Sequence, residues 1–126
     1  MAKPTVDFDF VRRLALALPG VEDATAFNTR VLKLHGQILA CIPIHRSAEP
    51  GSLMVRVDVQ DREHLLAEAP DVYYVTDHYV PYPAVLVRLS QVAPDVLRDL
   101  LRMAHKYVTS KSESRTRGRK RRLRSK

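Results

Sequence analysis

The sequence predicts an α+β fold: a single compact domain in which helices pack on an antiparallel sheet. The order of segments is helix, several strands, helix, one or two strands, helix. Short hairpin-type connections separate the early strands, and they favour antiparallel pairing over the crossovers of a doubly wound fold. A chain of 126 residues with 45% hydrophobic content is large enough for one domain with its own core, and too short for two comfortable ones.

The first helix is predicted to start at Asp7 or Thr5, since either side chain can accept hydrogen bonds from the free amides of a helix start. Pro19-Gly20 is predicted to end this helix. Its apolar positions follow helical spacing and comprise Val11, Leu14, Ala15 and Leu18.

Strand-type segments follow at 24–27, 30–34 and 37–44, and the last of these is almost continuously apolar, as in a strand buried on both faces. The segment 52–59, SLMVRVDV, instead alternates strictly, which is typical of a strand with two different faces. One face is predicted to carry Leu53, Val55 and Val57, and the other Met54, Arg56 and Asp58.

The second half of the chain adds two helices and another alternating strand. Asp61 is predicted to open a short helix that ends before Pro70. Residues 84–90 alternate as 52–59 do, with Arg88 on the same face as Leu86. A last helix starts at Pro94, and its apolar stripe consists of Leu97, Leu100, Leu101, Ala104 and Val108.

Three stretches together resemble the MmcQ/YjbR family of small bacterial proteins: FVRRLALALPGVED at 10–23, YYVTDHYVPYP at 73–83 and PAVLVRLSQVAPDVLRDLL at 83–101. The resemblance covers roughly residues 7–108. It implies a compact α+β domain similar to frataxin-like or secretion-chaperone-like folds. It also implies a DNA-binding protein, and it assigns no catalytic residues.

The charge of the chain is concentrated at its carboxyl end. Residues 111–126 hold nine Lys or Arg and one Glu, which is a net charge of +8. The whole chain has a net charge of +7, so residues 1–110 carry −1. Leu123 is the only large aliphatic residue of this segment. The sequence therefore predicts a folded domain at 1–110 and a basic tail at 111–126 that is disordered when nothing is bound.

The basic tail is the strongest functional signal, because clustered cations bind DNA or RNA phosphates without reading sequence. The alternative is a solvated tail that only aids solubility or, in a eukaryote, serves as a localisation signal. Arg98, Arg102 and Lys106 fall at i, i+4 and i+8 of the last helix and could extend this surface, unless they pair with Asp95 and Asp99. The predicted phosphate contacts of the tail are Arg115, Arg117, Arg119, Lys120, Arg121, Arg122 and Arg124.

A second candidate surface combines the segment 73–83, which holds four of the five tyrosines, with two strand arginines. His78, Tyr79 and Tyr82 are candidates for an exposed ring platform that stacks bases, whereas tyrosines at sheet ends more often pack their rings. Arg56 and Arg88 would project from one sheet face if their strands are neighbours, and could bind a phosphate or carboxylate. This surface supports the alternative function, a small-ligand or protein-interaction module with an incidental tail.

Pairing with nearby acids is the alternative for the two arginines, and the candidate partners are Asp58, Asp77 and Glu68.

No catalytic residues, metal or cofactor are predicted. Asp77 and His78 are adjacent, and adjacent residues in extended chain point to opposite sides, so Asp77 cannot easily orient His78 for acid–base work. Cys41 is the only cysteine and is expected to be a small buried hydrophobe.

No apolar run approaches membrane-spanning length and the amino terminus lacks a secretory pattern, so a soluble cytoplasmic protein is expected, of unknown oligomeric state.

Overall fold

The computed structural model describes residues 6–26 and 29–124, with side chains described as far as Lys111. Within these residues there are three helices and six strands. The helices are α1 (Phe8–Leu16), α2 (Val59–Glu68) and α3 (Pro94–Arg124), and the strands are β1 (Val21–Ala26), β2 (Thr29–Leu34), β3 (Gln37–Cys41), β4 (Ser52–Arg56), β5 (Tyr73–Tyr74) and β6 (Ala84–Arg88).

The six strands form one sheet in the order β1-β2-β3-β4-β6-β5, and every neighbouring pair is antiparallel. The strands β1 and β5 form its two edges. Strand β6 lies between β4 and β5, so the segment that contains α2 and β5 leaves the sheet after β4 and returns at its edge. This architecture confirms the predicted α+β fold with helices on an antiparallel sheet.

A tight hairpin and a bulge set the register at β3. His35 and Gly36 connect β2 to β3 with φ angles of 53° and 75°, the paired positive values of a two-residue hairpin turn. Lys33 then pairs with Ile38, whereas Leu32 pairs with Ala40, so Leu39 is an extra residue on β3. As a result Ile38 and Cys41, three positions apart, lie on the same face of the sheet.

One face of the sheet carries the core, against which α1 and α3 pack. Val55 of β4 and Val85 of β6 are fully buried on this face. The helix stripes that periodicity predicts are in place: Val11, Ala15, Leu97, Leu101, Ala104 and Val108 have no exposed surface. Helical spacing therefore identified the side chains that join both helices to the sheet.

Two helix starts show how short polar side chains fix element boundaries. Asp7 caps α1 as predicted, and its carboxylate accepts a hydrogen bond from the Phe10 amide at 2.9 Å. The predicted start of α2 at Asp61 is wrong, because Asp58 caps it by accepting from the Gln60 amide at 2.9 Å. Since Asp58 serves as the cap, β4 ends at Arg56, and Asp61 lies in the first turn of α2.

Two strand boundaries also differ from the predicted ones. Strand β1 starts at Val21, three residues earlier than expected, and its predicted end at Phe27 lies outside the described residues. Strand β3 ends at Cys41 rather than at 44, since Pro43 has no amide hydrogen to donate to a neighbouring strand. Residues 42–44 instead start the loop to β4.

The helix α3 continues to Arg124, whereas the sequence predicts a disordered tail from Lys111 onward. The physical reason is that a helix already formed at its amino-terminal end needs no new nucleus, and Lys, Arg, Glu and Leu are good helix formers. Val108 is the last buried residue among the α3 side chains that are described. The domain boundary at Ser110 stays a prediction.

Candidate functional site

The sheet face opposite the core helices is covered by two loops, residues 42–51 between β3 and β4 and residues 75–83 between β5 and β6. Side-chain alternation places Met54 of β4 and Leu86 of β6 on this face, directly opposite each other. Cys41 of β3 pairs with Met54 and continues the face toward β2. We refer to this surface as the loop-covered face.

The two loops are joined by side-chain contacts. The Ser47 and Thr76 hydroxyl oxygens lie 2.8 Å apart. The rings of His45 and His78 stack with their centroids 3.6 Å apart and an interplanar angle of 9°. Tyr79 lies edge-on to His78 with a centroid distance of 4.8 Å. The loops therefore form one connected cover over the sheet.

The hypothesis of an exposed three-ring platform is wrong for Tyr79, whose side chain is only 6% exposed. Its ring packs beneath the two histidines, as tyrosines at sheet ends commonly do. Tyr82 is 53% exposed and His78 is also exposed, so these two rings remain accessible. His45, which sequence analysis did not single out, supplies the partner ring of His78.

Arg88 is fully engaged in structural contacts. Its Nε and Nη2 donate to the two carboxylate oxygens of Glu49 at 3.0 and 2.8 Å. Its Nη1 donates to the carbonyls of Pro70 and Asp71, and its guanidinium lies 4.4 Å from the ring centroid of Tyr74. The hydrogen bond from Arg88 lowers the pKa of the Glu49 carboxyl. Arg88 therefore pairs with an acid, although with none of the three predicted partners.

Arg56 and Arg88 do lie on neighbouring strands and on the same face, yet they do not form one site. Arg56 pairs with Ala84, and Arg88 pairs with Ser52, so the two arginines stand at opposite ends of the β4–β6 pair. Four residues along a strand correspond to about 13 Å. The hypothesis of two convergent guanidinium groups is therefore wrong, because it lacked the register of the strands.

Arg56 instead lies at a cavity of about 330 Å³ between the loop-covered face and its loops. His78, Tyr79 and Tyr82 line the same cavity, so four of the five predicted loop and pocket residues converge here. The Arg56 Nε atom is buried and has no hydrogen-bond partner within the described part of the chain. The other lining residues are Thr29, Val31, Ile38, Cys41, Ile42, Pro43, Ile44, Met54, Pro83 and Ala84.

A larger cleft of about 860 Å³ lies near the starts of α1 and α3. Its wall includes Val6, which directly follows the undescribed residues 1–5, and its guanidinium is that of Arg88, which is already paired with Glu49. The smaller cavity at Arg56 is the better candidate site, because the buried Nε of its guanidinium has no hydrogen-bond partner among the described residues.

Arg62 of α2 holds one cavity wall in place. The side chain is 3% exposed, and its Nη1 donates to the carbonyl oxygens of Tyr82 at 2.8 Å and Ala84 at 3.2 Å. Its Nη2 donates to the carbonyl oxygen of Val80 at 3.2 Å. Arg62 was not among the predicted site residues, although its position three residues before Leu65 places it on the buried side of the helix.

Burial of Cys41 is confirmed, and desolvation raises the pKa of its thiol to about 11. A thiol in this state is a poor nucleophile at neutral pH. Within the described residues, no three His, Cys, Asp or Glu side chains come together as metal ligands.

The polar side of α3 exposes Arg98, Arg102 and Lys106 to solvent. Among the described side chains no ion pair joins these three to an acid, so the predicted alternative of pairing with Asp95 and Asp99 is not observed. The tail residues Arg115, Arg117, Arg119, Lys120, Arg121, Arg122 and Arg124 lie in the helical backbone of α3, and their side chains are outside the described set.

We expect His45 to titrate below the ordinary histidine pKa of about 6.5. Partial desolvation, the stacked ring of His78 and the nearby Arg46 all lower the pKa of His45. The neutral ring is favoured in the folded state, so this contribution to stability is present above the ordinary pKa and is lost as the pH falls through the lowered one.

An NMR titration of the histidine ring protons measures this pKa directly. His78→Gln should raise the pKa of His45, whereas His64→Gln, at an exposed site on α2, should leave it unchanged. An unchanged His45 pKa in the His78→Gln variant would contradict the electrostatic role of the stacked pair.

A six-stranded antiparallel sheet with helices on one face and loops on the other defines an α+β domain of the YjbR type. A sequence profile of the YjbR family matches residues 16–107, and the chain belongs to this family. The crystal structure of Deinococcus radiodurans protein DR2400, a DUF419 domain, superposes with a TM-score of 0.71 and 25% identity, over 89% of this chain and 85% of that one. This likeness confirms the fold that the sequence resemblance implied.

Uncharacterized proteins of Mycobacterium bovis and Mycobacterium tuberculosis are 40% identical over 58 residues, which is 44% of this chain. The match spans 45% of the length of these relatives. None of the described helices has a stretch long and apolar enough to cross a membrane.

Proposed function

We propose that this YjbR-family protein is a non-enzymatic nucleic-acid-binding protein of the cytoplasm. It contacts the phosphates of DNA or RNA with little sequence discrimination, through the basic carboxyl-terminal part of α3 together with Arg98 and Arg102. The observation that carries this proposal is the continuity of α3 from Pro94 to Arg124. One helix thus joins the exposed cations beside the domain to a segment with nine of the 21 basic residues and one acid.

Weak discrimination follows from the chemistry of the contacts. Arg and Lys bind phosphate oxygens, which are the same at every base, and each contact releases a condensed counterion. The domain at 1–110 carries a net charge of −1, so the attraction is concentrated on one element. The protein is therefore expected to bind unrelated sequences with similar affinity.

The charge spacing couples helix formation to binding. Positions 115, 119 and 122, and likewise 117, 121 and 124, recur at i, i+4 and i+7, so like charges are neighbours along the helix. Their repulsion opposes the helix in the free protein, and a polyanion relieves it. Binding of a polyanion is therefore expected to stabilise the helix at these positions.

The cavity is expected to catalyse no reaction. Its cysteine, Cys41, is buried, and a thiol with a pKa of about 11 is not a ready nucleophile. An unpaired cysteine also suits the reducing cytoplasm.

Fluorescence anisotropy with labelled duplex DNA, single-stranded DNA and RNA of equal length tests the proposal. If about six cations contact phosphates at once, the logarithm of the duplex association constant should fall with the logarithm of salt concentration with a slope of about −5. Two duplexes of unrelated sequence should bind alike. Absence of binding at low salt, or a slope near zero, would overturn the proposal.

A further inference from the structure

We propose that the cavity at Arg56 binds a small amphiphilic acid, a molecule with one carboxylate and an apolar body, whose carboxylate is held by the Arg56 guanidinium. This site is separate from the basic part of α3 and does not depend on the proposed nucleic-acid function.

The cavity walls suit an apolar body. Its volume of about 330 Å³ lies at the lower end of the range of about 300 to 1,000 Å³ that small-molecule pockets occupy. The sheet contributes Val31, Ile38 and Met54, and the first loop contributes Pro43 and Ile44. A ligand that fits is therefore small and largely apolar.

Apolar side chains are also exposed around the cavity. Ile44 is 62% exposed and Tyr82 is 53% exposed, and both line the cavity, as does Ile42 at 36%. With Val80 of the second loop, these make four of the six exposed large hydrophobic residues among the described side chains. Exposed apolar surface concentrated at one place marks a binding site more often than scattered residues do.

Arg56 determines the polar group of the ligand. Among the described residues that line the cavity, Arg56 is the only one with a permanent charge, and none is acidic. Its buried Nε lacks a hydrogen-bond partner within the described residues, and such an unsatisfied buried donor is costly. A carboxylate satisfies the guanidinium through two parallel hydrogen bonds and neutralises its charge.

One guanidinium in an apolar cavity favours a monoanion over a more highly charged ligand. A phosphate dianion or a nucleotide would bring further charge or polar base edges that Val31, Ile38 and Met54 cannot satisfy. The cavity therefore differs in ligand class from the polyanion surface of α3.

The test is a titration of the full chain with two acids, octanoate and 3-phenylpropionate, and with their uncharged amides, followed by calorimetry and by methyl NMR of Ile38, Ile44 and Met54. At least one acid should bind saturably with shifts at these methyl groups. Its amide should bind at least about 10-fold more weakly, because it lacks the charge-assisted hydrogen bonds to Arg56.

Arg56→Gln should weaken binding of the acid at least about 10-fold and bring it close to that of the amide. Arg56→Lys keeps the charge without the fork and should fall between the two. The matched control is Arg30→Gln, since Arg30 binds Asp9 of α1 rather than the cavity. Thermal unfolding of each variant verifies that it is folded.

Three results would overturn the proposal: no saturable binding of either acid, equal affinity for acid and amide, or shifts confined to α3. The proposal would also be overturned if the folded Arg56→Lys and Arg56→Gln variants bound the acid with the same affinity as wild type. Nucleic-acid binding should be the same in Arg56→Gln and wild type, so this proposal and the one for α3 succeed or fail separately.

Discussion

A chain that ends at Ser110 is expected to lose more than about 10³-fold in nucleic-acid affinity at low salt, because it lacks the cations that supply most of the counterion release. The truncation removes nine of the 21 basic residues. The fold should persist, since Val108 is the last buried residue of α3 among those with described side chains. Anisotropy titrations of both lengths at equal salt, with circular dichroism of each, measure the two effects.

A full-length variant with glutamine at the seven tail positions separates loss of charge from loss of length. It should bind as weakly as the truncated chain, and Arg13→Gln, which changes one exposed cation on α1, should bind like wild type. If the chain that ends at Ser110 binds as tightly as the full chain, the contacts lie elsewhere and the role of the tail is refuted. The altered positions are Arg115, Arg117, Arg119, Lys120, Arg121, Arg122 and Arg124.

Arg62→Met is expected to lower the free energy of unfolding by about 2 to 3 kcal/mol. The Arg62 side chain is almost completely buried and donates hydrogen bonds to the backbone carbonyls of Val80 and Tyr82 in the second loop and of Ala84 at the start of β6. Methionine fills much of the volume but donates nothing, so the carbonyl of Ala84, in a buried hydrogen bond, is left unsatisfied. Denaturant unfolding with an unchanged slope would measure this loss directly.

Hydrogen exchange locates the effect of Arg62→Met. The amides of Val80, Tyr82 and Ala84 should exchange faster in this variant than in wild type, because Arg62 joins this segment to α2. Arg62→Lys, which keeps the charge but cannot reach three carbonyls as a fork, should lie between the two. A stability equal to wild type in Arg62→Met would show that relief of the buried charge offsets the lost hydrogen bonds.

Local sequence patterns predicted most of the fold. Strict alternation in 52–59 and 84–90 predicted strands with two different faces, with Arg56 and Arg88 on the faces of Met54 and Leu86, and the structure agrees and buries Val55 and Val85 on the other face. Helical spacing identified the stripe of α3 that includes Leu97. These signals depend only on residues a few positions apart, which is why they can be read directly from the chain.

The candidate site depended on contacts that no local pattern encodes. The partner of Arg88 is Glu49, 39 residues away, and the ring stacked on His78 belongs to His45 in a different loop. Whether Arg56 and Arg88 converge depended on the register of β4 and β6, which places them at opposite ends. Residue types therefore indicated which side chains matter, and the register decided which of them meet.

The acidic outer strand has a consequence for self-association. Strand β1 pairs only with β2 in the described sheet, and Glu22 and Asp23 are exposed on it. The outer edge of such a strand is a template on which another copy could add its own strand, and charged residues there make this addition unfavourable. The opposite edge strand, β5, is only two residues long and offers few backbone groups for pairing with another strand. Both edge strands therefore disfavour the strand-to-strand association that leads to fibrous aggregation.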